Sequence, residues 1–346
     1  MENGLTEKEI IQKQFRNFAQ KVLIPKNIDT GCFGGIHQKY WVDINKQQYM
    51  FKYSSSKSDY SDFGEVFVSY LSYVLGYKCI DAMFCKDFFC ENEEFYKQNN
   101  TLHKIYGTLI KSYRTKNVVE TLSLCSLLKR YGKRHTASGV TTWETAYICE
   151  EFCAENNIVY PQKLEQELKE MALLDYLFVQ VDRGVYNIEF LIEEKRGKKY
   201  LKLAPMFDNG FCLHLMDNYA INNLLEDLKS HKSGVGLTSM NPKPDFYIEK
   251  TENIVNSDGS CIVPDLATEL IENKALLKLY ENFKQLNIKD EVEFVASLYS
   301  RELPQIKKEI VCESIKNRIY MLDLELSKQR IKNNFKEYKD ECDFKL

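Results

Sequence analysis

Three oxygen-bearing side chains stand in an order that could carry chemistry: Asp182, Asn187 five residues later, and Asp208 just before Asn209-Gly210. The first two interrupt LLDYLFVQVDRGVYNIEFLIEE (173–194), which otherwise reads as buried apolar sequence. An unpaired charge in such a run costs several kcal/mol, so Asp182 and Arg183 need either partners or a site at a surface. Asn and Asp are hard oxygen donors suited to Mg²⁺, which takes one or two protein ligands and completes its shell with phosphate oxygens and water. A third carboxylate, on Asp182, could accept a hydroxyl proton. Together these residues form the inventory of phosphoryl transfer: a base, a metal-binding Asn and a downstream Asp followed closely by Gly.

The pattern D-x-x-x-x-N is weak alone, because Asp87/Asn92 and Asp217/Asn222 also satisfy it. Order and context strengthen it. D-R-G-V-Y-N leads into YNIEFLIE (186–193), a charged tip EKRGK, then KYLKLAP (199–205) and M-F-D-N-G. The alternating runs and the Gly-containing tip predict a hairpin, whose open end gathers Asn187 and Asp208. The bland alternative makes Asp182 and Asp208 turn and cap residues, with Asn209-Gly210 a simple turn.

Phosphoryl transfer needs a phosphate-binding half, and the first third of the chain offers one. DTGCFGGIHQKYWV places Gly31, Gly34 and Gly35 ahead of a predicted hairpin of KYWVDI (39–44) and YMFKY (49–53). Backbone amides there could approach phosphate oxygens, although the Walker A pattern is absent and such glycines also simply make turns. Lys52 puts an ammonium into an aromatic strand, either as an edge-strand charge that discourages pairing or as the lysine that meets phosphates and a helix glutamate. Glu65 is the expected partner. It opens an amphipathic helix whose face is Val66, Phe67, Tyr70, Leu71, Val74 and Leu75, capped at Asp62 and stopped at Gly76. Glu65 also fits a capping box with Asp62, and the two roles are compatible.

The elements around these residues predict strand character again in KIYGTLIKSY (104–113), then helical periodicity from about 117 to 180. A shift near 113–116 marks the expected boundary between a strand-rich part (1–115) and a mainly helical part (116–346). Residues 229–260, rich in Ser, Gly, Pro and Asn, read as a long irregular loop, and ELIENKALLKLYENFKQL and IKNRIYMLDLEL as helices.

Composition excludes several classes. The 346 residues carry a net charge of -3 and a pI near 6.1, which supply no basic field for a nucleic-acid backbone. No C-x-x-C or H-E-x-x-H is present, so the eleven cysteines read as buried thiols rather than metal ligands. MENGLTEKEIIQKQF lacks the apolar stretch of a signal peptide, and no run of about 18 apolar residues predicts a membrane helix. A reduced, cytoplasmic setting follows, with delivery into a host cell as an effector as a variant of it.

The series D-x-x-x-x-N, hairpin, P-x-x-D-x-G (Asp182, Asn187, then Pro205 to Gly210), with the glycine loop before K-Y-W and then F-K-Y, resembles the HipA-like serine/threonine kinases. The likeness covers roughly residues 28–330 and is stronger to the short members that lack an extra N-terminal subdomain. It implies an α+β, two-lobed protein-kinase-like fold with ATP between the lobes, Lys52 on phosphate, Asn187 and Asp208 on Mg²⁺, and Asp182 as catalytic base. By the same likeness, Lys111, Ser112 and Tyr113 form the hinge that touches adenine, and a protein Ser or Thr, including one in the chain itself, is the acceptor. The family pattern N-x-D-[RD]-H departs here to Gln180-Val181-Asp182-Arg183-Gly184. That departure keeps a nucleotide-binding pseudokinase open beside an active enzyme, and the same Asp/Asn/Asp set would also serve a small-molecule hydroxyl acceptor.

Overall fold

A computed structural model of the chain describes residues 28–29, 39–44, 46–53, 59–88, 105–132, 140–180, 183–210, 212–215, 221–230, 246–247, 262–299 and 301–343. Asp182, Gly31, Gly34, Gly35 and most of the 229–260 segment lie outside the described residues. The chain divides into two compact units. The first takes Met1–Val118, Ala204–Tyr219 and Asn287–Val311, and the second takes Val119–Leu203, Ala220–Leu286 and Cys312–Leu346.

The first unit is built on a five-stranded antiparallel sheet in the order β1-β2-β3-β5-β4. Its strands are β1 (Ile28–Asp29), β2 (Lys39–Ile44), β3 (Gln47–Tyr53), β4 (Ala82–Phe88) and β5 (Ile105–Lys111). Helix α1 (Ser61–Val74) follows β3, and Ser61 to Ser72 are all buried. Aromatic packing explains part of this burial: Phe63 stacks on Phe67 at 5.6 Å and on Phe84 at 6.4 Å between ring centroids. The helix stops as the sequence predicts. Gly76 takes φ +71°, Gly76 N–H donates to Tyr73 O (3.1 Å) and Tyr77 N–H to Ser72 O (2.8 Å), a Schellman closure that leaves few orphan carbonyls.

The start of α1 differs from expectation. Asp62 is not the cap; it sits in the first turn, and Asp59 Oδ1 accepts the Ser61 N–H at 2.9 Å. The Asp62 carboxylate is drawn instead to Tyr299 and Arg301, two residues no local pattern could have placed beside it.

The second unit holds a four-stranded sheet, β6-β9-β10-β8, from β6 (Val118–Ser123), β8 (Ile158–Val159), β9 (Glu189–Lys195) and β10 (Lys198–Leu203). Strands β9 and β10 are the predicted second hairpin. Arg196 (φ 53°) and Gly197 (φ 72°) make the two-residue turn, whose left-handed backbone matches the twist of the strands. A short pair joins β7 (Val140–Thr141) to β11 (Phe246–Tyr247). Helices α2 (Leu124–Arg130), α3 (Thr142–Glu155), α4 (Leu164–Leu177), α5 (Ile221–Lys229), α6 (Ile262–Glu272) and α7 (Lys274–Lys284) belong to this unit. Its core includes Leu173, Leu174, Leu177, Phe178, Phe283 and Ile315. Helix α8 (Ile288–Leu298) belongs to the first unit, as does the start of α9 (Gln305–Asp343) up to Val311. Among the described residues no helix is long and apolar enough to cross a membrane.

Candidate functional site

Lys52 lies near the end of β3, where it pairs across the ladder with Lys39 on β2 and Thr108 on β5. Its side chain is 3% exposed, so its ammonium must find carboxylates. It finds two. Nζ donates to Glu65 Oε1 at 2.6 Å and to Asp208 Oδ1 at 2.7 Å. Burial alone would lower the Lys52 pKa, but Glu65 and Asp208 outweigh it and hold the amine above the ordinary lysine value.

Glu65 is fully buried on the first turns of α1, and its second oxygen, Oε2, accepts the Asn209 N–H at 2.9 Å. The glutamate thus joins the strand lysine to the backbone of the D-N-G segment. The capping-box reading of Glu65 is not realised, since its carboxylate turns to Lys52 and Asn209.

Asp208 has φ +56°, an uncommon conformation for a residue with a side chain, which costs of order 1 kcal/mol and recurs at functional sites. Its second oxygen, Oδ2, accepts from Lys39 Nζ at 3.0 Å. Burial would raise this carboxyl, yet Lys52 and Lys39 overcome it and hold the group well below the usual carboxylate range. Gly210 leaves the space this arrangement needs: a Cβ there would lie 2.9 Å from Lys52 Nζ and 3.1 Å from Ser61 Cβ.

The predicted hinge residues end the same sheet. Lys111 N–H donates to Asp81 O and Ser112 N–H to Gln48 O, each at 2.9 Å, so both donors are used within the unit. Tyr113 packs its ring on Phe207, 6.1 Å between centroids, next to Asp208.

In the second unit, the segment after α4 shows how the charge of Arg183 is tolerated. Arg183 is buried and grips buried Asp175 with two nitrogens, Nε to Oδ2 at 3.0 Å and Nη2 to Oδ1 at 3.1 Å. Its Nη1 donates to Asn187 O at 3.2 Å. Burial raises the Asp175 pKa and Arg183 opposes that rise. Carbonyls of the same segment, Val185 and Ile188, accept the Cys125 and Leu124 N–H groups (3.1 and 2.8 Å), donors that the first turn of α2 would otherwise leave unpaired. Asn187 is partly exposed, with its N–H on Gly184 O at 2.9 Å. Upstream, α4 closes with Val179 at φ +50°, a position that normally takes glycine.

The sequence patterns single out Lys52, Glu65 and Asp208, and the structure brings those three together. They miss Lys39. The signal was available: a hairpin turning at residues 45 and 46 pairs 39 with 52, and two lysines facing each other repel unless an anion lies between. Among the described residues no group of three or more His, Cys, Asp or Glu side chains could hold a metal ion by itself. The donor chemistry still suits Mg²⁺ completed by phosphate oxygens, because Asp208 remains an ionised hard carboxylate beside an ammonium, Lys52, that attracts anions.

No family profile matches the chain, and no curated protein matches its sequence. Solved structures do match. A proinflammatory kinase of Helicobacter pylori, CtkA, superposes with a TM-score of 0.58 at 18% identity, over 87% of this chain and 95% of that one. The HipA protein of Shewanella oneidensis MR-1, from a toxin–antitoxin complex with HipB and operator DNA, gives a TM-score of 0.46 at 13% identity, over 93% of this chain and 71% of that one. The likeness to CtkA shows the fold: α+β and kinase-like, with a strand-rich N-terminal region and a helical C-terminal region. At 18% identity the likeness is a distant one of fold, and does not single out CtkA.

Proposed function

We propose that the chain is an ATP- and Mg²⁺-dependent serine/threonine protein kinase that also phosphorylates itself. The observation that carries this reading is the Lys52–Glu65–Asp208 constellation. A strand ammonium is held at 2.6 and 2.7 Å between a helix carboxylate and the Asp of a D-x-G segment, on a fold shared with a kinase.

In this reading Lys52 binds phosphate oxygens and Glu65 keeps the ammonium aimed at them. Bound Mg²⁺ would supply charge neutralisation at the transferred phosphoryl group, with Asp208 and Asn187 as its protein ligands. Asp182 orients the acceptor hydroxyl and takes its proton. Gly31, Gly34 and Gly35 cover the phosphates, and Lys111, Ser112 and Tyr113 meet the adenine. Residues 1–115 form the nucleotide-binding part and residues 116–346 the part with the catalytic loop. Catalysis of this kind is mostly placement and electrostatics, so single removals are severe while the fold survives.

The alternative that a specific observation favours is a nucleotide-binding pseudokinase, since Gly184 stands where relatives of the resemblance carry His. The Arg183–Asp175 grip supports the active reading, because it braces the same loop from a different residue. Incubation with γ-labelled ATP and Mg²⁺, followed by mapping of any modified residue, separates the two. An active kinase incorporates phosphate on Ser or Thr and loses it in Asp182→Ala and Asp208→Ala. Transfer at the wild-type rate by Asp208→Ala would overturn the proposal, and Mg-ATP binding without transfer would select the pseudokinase.

A further inference from the structure

The Lys52–Glu65–Asp208 cluster is held from behind by a stretch of chain more than 75 residues downstream of Asp208, Asn287–Val311, which belongs to the same compact unit. On α8, Glu291 Oε2 accepts from Tyr70 Oη at 2.7 Å, and Phe294 meets the Tyr70 ring at 5.0 Å. After α8, Tyr299 Oη donates to Asp62 Oδ1 at 2.6 Å, and its ring packs on Phe63 at 5.6 Å and Phe84 at 4.8 Å. Arg301 Nη2 donates to the same Asp62 oxygen at 2.8 Å and to the Asp59 carbonyl, with its guanidinium over the Tyr60 ring at 4.8 Å. Helix α1 is therefore tied on both sides of Glu65, at Asp62 and at Tyr70.

The same stretch also ties the Asp208 segment. Leu213 and His214 both have φ +55°, two consecutive left-handed residues with side chains, a strained turn a few residues after Asp208. Lys307 is 2% exposed, and its Nζ donates to the carbonyls of His214 (3.4 Å) and Leu215 (3.2 Å). Those bonds give two carbonyls of this segment a buried donor.

We propose that Arg301 and Lys307 are positioning residues that set the separation of Glu65 and Asp208 between which Lys52 is shared. Arg301 fixes the helix that carries one carboxylate and Lys307 the turn that follows the other. The geometric claim stands on the contacts above, and only its consequence for phosphate transfer rests on the kinase reading.

The test is competitive acetylation of the whole protein with acetic anhydride, read by mass spectrometry as labelling of Lys52 relative to exposed Lys278, together with a thermal melt. In the wild type Lys52 labels far more slowly than Lys278. In Arg301→Gln and in Lys307→Met, relative labelling of Lys52 is expected to rise by about tenfold or more, as its carboxylates separate, while the melt remains cooperative. Arg301→Lys, which keeps a cation beside Asp62, should restore most of the protection. Tyr299→Phe keeps the ring and removes the hydroxyl that donates to Asp62 and accepts from Arg301 Nε, while Arg301 keeps its own bond to Asp62, so it gives a smaller rise in the same direction even if Arg301→Gln does not fold. Unchanged Lys52 protection in Tyr299→Phe and Lys307→Met overturns the proposal. Where the wild type transfers phosphate, Arg301→Gln should lower kcat by about tenfold with a smaller change in KM for ATP. Altered Lys52 labelling in a protein with no transfer would uphold the clamp and defeat the kinase reading, whereas transfer with unaltered labelling would do the reverse.

Discussion

Lys39 and Lys52 face each other directly across the β2–β3 ladder, and both donate to one carboxylate, Asp208, at 3.0 and 2.7 Å. Two like charges in that register repel, and Asp208 reverses the sign of the interaction. Each Asp208 oxygen thus already has a cation, so a metal ion must compete with at least one lysine.

Lys39 is the weaker competitor, being more exposed and farther from Asp208. On the kinase reading, removing it in Lys39→Met takes one cation away from Oδ2 and should lower the Mg²⁺ concentration needed for half-maximal ATP binding by about fivefold, the equivalent of roughly 1 kcal/mol. A Mg²⁺ titration at fixed ATP, followed by thermal shift, measures it. A rise in the Mg²⁺ requirement would instead place Lys39 on the nucleotide.

Lys52→Met strands Glu65, which is fully buried and keeps, among the described residues, the Asn209 N–H. A buried charge deprived of its partner typically costs about 3–5 kcal/mol, whereas replacing both members by apolar side chains is often near neutral. Urea denaturation should show a loss in that range for Lys52→Met and recovery of at least half of it in Lys52→Met/Glu65→Leu. Equal losses in the two would show that the stranded Glu65 carboxylate is not the source of the cost.

The pH range of the cluster follows from the signs of its shifts. Asp208 has a lowered pKa, so its contribution is present above the ordinary carboxylate value, about 3.9, and is lost only as pH falls toward the lower folded value. Lys52 has a raised pKa, so its contribution is present below the ordinary lysine value, about 10.4, and is lost only as pH rises beyond it. The stability difference between wild type and Lys52→Met/Glu65→Leu, which strands no carboxylate at position 65, should therefore be flat from about pH 5 to 9. A steep change within that window, by urea denaturation at several pH values, would contradict the assignment.

Arg183→Gln leaves Asp175 buried without its cation, at a cost of about 3 kcal/mol near neutral pH. Burial already raises the Asp175 pKa, and loss of Arg183 raises it further. A carboxyl with a raised folded pKa favours the folded state at low pH and stops doing so as pH rises through that value. The deficit of the variant should accordingly shrink from pH 7 to pH 5, the reverse of ordinary acid destabilisation, as measured by urea midpoints.

Two glycines bound Lys52 in different ways. A Cβ on Gly107 would lie 2.2 Å from the Lys52 carbonyl oxygen, a main-chain atom fixed in the β3–β5 ladder, whereas one on Gly210 would meet the ammonium end of the Lys52 side chain at 2.9 Å. Gly107→Ala should cost at least about 2 kcal/mol, and Gly210→Ala about 1 kcal/mol through a small shift of the ammonium that, on the kinase reading, lowers phosphate transfer. Calorimetry and a transfer assay on the two variants separate these effects.

Much of this was legible because the governing physics is local. The β9–β10 hairpin and its Arg196-Gly197 turn, the stop of α1 at Gly76, and the candidacy of Lys52, Glu65 and Asp208 follow from periodicity, turn chemistry and the rarity of charge in apolar sequence. What no local pattern contained was the identity of long-range partners. Asp62 has the spacing of a cap, yet Tyr299 and Arg301, more than 230 residues away, capture its carboxylate. Arg183 reads as a stray charge until the end of α4 sets Asp175 against it. The residue types and spacings by themselves determined which groups were available for chemistry. Only the tertiary structure decided which carboxylate meets which cation, because a buried charge accepts whatever partner the fold brings within about 3 Å, and that distance is independent of separation along the chain.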